Sequence, residues 1–128
     1  MRVLIFILGI TIGQNSIAFD RVFYCIYQDD LCIKSHEPVK IDKPDINGLL
    51  NRVSVGEQNF IGFVDEDGVV IQFYVDAPDN IWIEIPSPEE KGSYGKQIHY
   101  REMKSIVKDL KPPYMRYIER LDLIFGAW

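Results

Sequence analysis

Between Val53 and Glu90 the chain has no lysine and no arginine, yet nine carboxylates fall in that window: Glu57, Asp65, Glu66, Asp67, Asp76, Asp79, Glu84, Glu89 and Glu90. Together with a net charge of −5 over 128 residues, this gap excludes a sequence-independent nucleic-acid binder, which needs a basic surface to neutralise phosphates. It also disfavours attachment to anionic lipid. Catalytic signatures are missing as well: there is no G-x-S-x-G elbow, no phosphate-cradling P-loop, no H-E-x-x-H and no C-x-x-C. Histidine occurs twice. His36 lies beside Glu37 in a connector, and His99 stands three residues before Glu102 at a helix start. With no nucleophile or metal ligand near it, His99 reads more simply as a cap than as a general acid or base. No catalytic residue, cofactor or metal site is therefore expected. Low-complexity linkers are absent too, and with 47% hydrophobic and 26% charged residues the chain is long enough for one core rather than two.

The first eighteen residues, MRVLIFILGITIGQNSIA, read as a removable leader. Arg2 supplies a positive start, Val3 to Gly13 an apolar run too short to span a bilayer as a helix, and Ser16-Ile17-Ala18 a small-x-small cleavage site. Cleavage after Ala18 leaves a single domain, residues 19–128, with 13 basic against 19 acidic residues, a net of −6. The expected location is then periplasmic or secreted, without stable membrane insertion. No cysteine follows the cleavage site, which argues against a lipoprotein anchor. The competing reading makes residues 1–18 a buried N-terminal strand of a cytoplasmic protein, since β-branched residues abound there.

Only two cysteines are present, and their spacing tests the export reading independently. In RVFYCIYQDDLCIKS two apolar runs flank Gln28-Asp29-Asp30, the chemistry of a hairpin turn. A turn centred between Gln28 and Asp29 pairs Tyr27 with Asp30, Ile26 with Leu31 and Cys25 with Cys32. Directly opposed residues lie near the separation a disulfide accepts, so a Cys25–Cys32 bridge is expected in an oxidising compartment and two buried thiols in a reducing one. Zinc is disfavoured, because the six-residue gap is not a usual ligand spacing and only His36 and His99 remain to complete a site.

Downstream, EPVKIDKPD is a polar connector that delivers Asp45 as N-cap of a short helix, INGLLNRV, with Ile46, Leu49, Leu50 and Val53 on one stripe. The segment NFIGFVDEDGVVIQFYVDAPDNIWIEIP, residues 59–86, then reads as three strands joined by turns. Period two sends Val69, Ile71, Phe73 and Val75, and Ile81, Ile83 and Ile85, to the core. The opposite face shows Gln72, Tyr74, Asp76, Trp82 and Glu84. Asp65 and Asp67 beside Gly68 share the opening of a calcium loop, but no further ligands follow at EF-hand spacing, so DEDG reads as a turn. PSPEEKGSYGKQIHY is expected to be a polar loop. YREMKSIVKDL follows as a helix burying Met103, Ile106, Val107 and Leu110, then a second short helix after Pro112-Pro113, and an apolar end, DLIFGAW, as a last strand or docked tail.

The fold expected is α+β, an antiparallel sheet of about four to six strands with two or three helices packed on one face. The acidic window admits two readings. Most charge runs are solvated faces that keep a domain soluble; tyrosine and tryptophan ringed by carboxylates, however, are what recognition surfaces use. On the second reading Asp65, Glu66, Asp67, Gln72, Tyr74, Asp76, Trp82 and Glu84 bind a partner.

NRVSVGEQNFIGFVDEDGVVIQFYV, followed by IWIEIP and GSYGKQIHYREMKSIVKDL, resembles the small immunity proteins of bacterial polymorphic-toxin and contact-inhibition systems. In these a short helix leads into a strand pair ending in a glutamine-aromatic step, here Gln72-Phe73, and the resemblance covers roughly residues 46–110. It implies a non-catalytic protein that neutralises a cognate protein toxin by occluding its active site. An exported antidote fits a toxin attacking peptidoglycan or membrane rather than a cytoplasmic nuclease. A small secreted or periplasmic enzyme centred on His99, or a structural cell-envelope module, are the alternatives.

Overall fold

The computed structural model describes residues 17–128, and within them the fold is α+β. The expected leader lies outside the described residues except for Ile17 and Ala18. In chain order the elements are β1 (Ala18–Ile26), β2 (Leu31–Ile33), β3 (Val39–Asp42), α1 (Lys43–Ser54), β4 (Phe60–Val64), β5 (Val70–Ala77) and β6 (Asn80–Ser87). These are followed by β7 (Gly92–Ile98), α2 (Tyr100–Lys108), α3 (Arg116–Arg120) and β8 (Ile124–Ala127). All pairings are antiparallel, in the order β2-β1-β4-β5-β6-β7-β8, with β3 pairing the N-terminal half of β1. Eight strands exceed the four to six expected, and the additions are β3 and β7. No helix among the described residues is long and apolar enough to cross a membrane.

The N-terminal hairpin has the register that its turn chemistry dictates: Ile26 opposes Leu31 and Cys25 opposes Cys32. A short 3-10 turn, Tyr27–Asp29, reverses the chain, with Asp30 taking the left-handed conformation an aspartate tolerates. Cys25 and Cys32 form a disulfide. Closing so short a loop removes denatured-state entropy, so Cys25→Ser is expected to lower stability by about 2 to 3 kcal/mol in urea denaturation. A loss below about 0.5 kcal/mol would mean that the bridge contributes nothing beyond the hairpin's own hydrogen bonds.

One buried cluster fills the space between sheet and helices. Ile71, Phe73 and Val75 of β5 and Ile81, Ile83 and Ile85 of β6 are wholly buried in it, as their alternation requires. Helix α1 adds Ile46, Leu49, Leu50 and Val53, α2 adds Met103 and Val107, and α3 adds Tyr117. Helix α1 begins at Lys43, with Pro44 in its first turn and Asp42 as N-cap, so Asp45 is not the cap. It lies in the first turn instead, where its charge faces the positive end of the helix. Phe19, the first residue after the expected cleavage site, is buried against Phe63 with ring centroids 4.9 Å apart.

Asn59, fully buried, joins three elements through its side chain. It accepts from the Tyr27 amide at 2.9 Å and donates to Gln28 Oε1 at 2.8 Å and to the Val53 carbonyl at 3.0 Å. The hairpin turn, the end of α1 and the start of β4 are thereby fixed to one another, with no buried polar atom of the Asn59 carboxamide left unpaired.

Candidate functional site

Among the described residues the helices pack on one face of the sheet and leave the other open. On that open face the cross-strand registers build two adjacent rows. The first runs Phe23, Gly62, Gln72, Glu84, Gly95, Ile124 from β1 across to β8. The second runs Cys32, Cys25, Phe60, Tyr74, Trp82, Gln97. Gln72, Tyr74, Asp76, Trp82 and Glu84 are thus brought together, and they line a concavity of about 640 Å³ with Phe23, Ser35, Phe60 and Gln97.

Two glycines leave room for aromatic rings along this face. A Cβ on Gly62 would sit 2.1 Å from Phe23 Cζ, and one on Gly95 would sit 2.8 Å from Trp82 Cζ2. Phe23 therefore covers Gly62, and the Trp82 indole covers Gly95, each aromatic shielding a strand position that has no side chain of its own. Phe23 is buried by this and packs against Phe60 at 6.2 Å between centroids. Tyr74 and Trp82, directly opposed, stay 39% and 36% exposed. Large aromatic area is thus offered outward at two neighbouring points.

Glu84 stands at the middle of the first row, half-buried. Its Oε2 accepts from the Gln72 side-chain amide and its Oε1 from the Trp82 indole N–H at 3.0 Å. The carboxylate is therefore oriented by two side chains that are themselves part of the face. Asp76 accepts from Gln97 Nε2 at 3.3 Å beside the irregularity in pairing between Val75 and Ala77. Among the described residues no lysine or arginine lines the concavity. A second concavity of about 700 Å³ continues from it over β7 and β8, sharing Gln72, Trp82, Glu84 and Gln97 and adding Lys96, Ile124 and Trp128.

Asp65, Glu66 and Asp67 are not part of this face. Asp65 is 5% exposed, and its Oδ1 accepts from the amides of Asp67 and Val69 at 2.9 Å each. Its Oδ2 accepts from the Tyr114 amide, also at 2.9 Å, and its backbone carbonyl accepts from Arg21. The carboxylate thus organises the β4–β5 turn and anchors the segment before α3. Burial, and next the Asp65 charge, push the Tyr114 phenol above its ordinary pKa. Asp65 and Glu66 line a separate small concavity of about 160 Å³, and Asp67 is exposed at the turn.

Other members of the acidic run also have local partners. Asp79 Oδ1 accepts from the Tyr100 amide at 3.1 Å, and Glu90 accepts from the Tyr94 hydroxyl at 2.8 Å, a bond that raises the phenol's pKa. His99 is the N-cap residue of α2; its amide donates to Glu102 at 3.1 Å, and its Nδ1 lies 3.5 Å from Asp79. Those contacts account for its position by helix capping. Among the described residues no group of three or more histidine, cysteine, aspartate or glutamate side chains is placed to hold a metal ion.

Phe23, Phe60 and Gln97 join the face without having been foreseen. The alternation of Phe60, Gly62 and Val64 against Ile61 and Phe63 carried the signal for Phe60. Gln97 carries no such signal, because GSYGKQI has the composition of a polar loop. Searches against family models, curated proteins and solved structures return no match to this chain.

Proposed function

We propose that the chain is a non-catalytic binding protein, an immunity protein that neutralises a cognate bacterial toxin by laying the open sheet face over the toxin's active site. The observation that carries this reading is the directly opposed pair Tyr74 and Trp82, half-exposed in a concavity with Asp76 and Glu84 that no basic residue lines among the described residues. Buried-on-binding aromatics supply most of an interface's affinity, while carboxylates beside them steer a basic partner and fix its register. Gln72, Tyr74, Asp76, Trp82 and Glu84 are the contact residues in this proposal, and Asp65 supports the fold rather than the contact. The Cys25–Cys32 bridge and the leader-like start favour action in the periplasm.

The test is protection in cells. A bacterial host producing the toxin encoded beside this gene should survive with the full chain and die with Trp82→Ala at equal abundance. Deleting residues 1–18 should abolish protection, if the toxin acts outside the cytoplasm. Survival with the leaderless chain would refute the compartment, and death with the full chain would refute the toxin.

A further inference from the structure

We propose that Glu84 is the seat of an arginine side chain presented by the protein partner, a deepening that rests on reading the open face as the partner surface. The carboxylate lies half-buried at mid-sheet, and among the described residues no basic side chain comes within 4.0 Å of it. With two neutral hydrogen-bond donors but no ion pair among the described residues, it favours a cation arriving from outside. Asp76 adds a second negative charge to the same concavity.

The geometry selects arginine over lysine. Each Glu84 oxygen already accepts one hydrogen bond, from Gln72 or from Trp82, and a carboxylate oxygen has two acceptor sites. One remains on each oxygen, the pair that a guanidinium fork meets with two parallel N–H groups. Trp82 covers Gly95, stands opposite Tyr74 and stays 36% exposed, so indole surface beside Glu84 is open to a partner. A planar guanidinium stacks on such a face while donating in its own plane; an ammonium satisfies only one of the two requirements.

The experiment follows the Trp82 indole and Gln72 side-chain amide signals of the isotopically labelled chain while N-acetyl-arginine amide is titrated in, with the lysine and citrulline analogues as controls. Arginine should give saturable shifts at both groups, about tenfold tighter than lysine, with none for citrulline. Glu84→Gln, checked for an unchanged fold by its spectrum, should weaken arginine binding by about tenfold or more. Equal binding of lysine or citrulline, shifts confined to other residues, or an unaffected Glu84→Gln protein would each overturn the seat. Toxin affinity separates this failure from that of the surface itself. Affinity retained by Glu84→Gln and lost by Trp82→Ala overturns the arginine seat alone, whereas affinity retained by both overturns the face and the seat together.

Discussion

Asp65→Ala lowers the stability of the domain by about 3 kcal/mol or more, although the residue sits in a turn whose sequence suggests only a solvated loop. Removing its carboxylate orphans the amides of Asp67, Val69 and Tyr114, which it receives at 2.9 Å each. Each bond to a charged acceptor contributes roughly 1.5 to 3 kcal/mol, and a donor left unpaired in a dry site loses its hydration as well. The third bond crosses 49 residues of sequence, so the substitution also releases the segment leading into α3. Asp65→Asn should fall between wild type and alanine: its carbonyl oxygen can keep both turn bonds, while its amino group opposes the Tyr114 N–H. Urea denaturation checks the series, and a loss below about 1 kcal/mol for Asp65→Ala would mean that water replaces the carboxylate in all three bonds.

What was legible in the sequence follows from the reach of each physical rule. Strands β5 and β6 alternate β-branched and aromatic residues without interruption, so period two assigned both faces correctly, and with them Gln72, Tyr74, Asp76, Trp82 and Glu84. The cysteine pairing was legible because a short turn leaves one favoured register. Strand β7 was not legible. GSYGKQI has two glycines and few β-formers, and what makes it a strand is supplied from elsewhere: Trp82 covers Gly95, and a Cβ on Gly92 would meet Phe125 Cζ at 2.5 Å. Strand β3 lies in a proline-flanked polar connector and pairs β1 at only a few irregular positions. Asp65 departs from its sequence expectation for the same reason as β7. Its charge fits a steering role, and the amide that recruits it inward lies too far along the chain for any local pattern to encode.

If the proposed function holds, Trp82→Ala is expected to weaken binding to the partner by about 2 kcal/mol or more, a loss of roughly thirtyfold, chiefly by faster dissociation. The indole offers a flat ring supported beneath by Gly95 and fixed in orientation by its bond to Glu84. Such pre-organisation spares the entropy of ordering a side chain on contact, which is why aromatic anchors dominate affinity. The fold should survive the substitution, since the indole lies outside the buried cluster and β7 keeps its backbone pairing with β6 and β8. Loss of the ring also frees one Glu84 oxygen, so some of the decrease reflects the carboxylate's looser orientation.

Steering and anchoring separate in the rates. Asp76→Lys should slow association and flatten its dependence on salt, with dissociation changed less, because long-range attraction acts before contact. The central claim, that the open face of the sheet is where the partner sits, is tested most directly by on- and off-rates of the folded Trp82→Ala chain against the proposed toxin partner at two salt concentrations. The account predicts dissociation faster by about thirtyfold at both, with association nearly unchanged. An unchanged affinity and off-rate would contradict it and leave the face a solvated surface whose carboxylates keep the domain soluble.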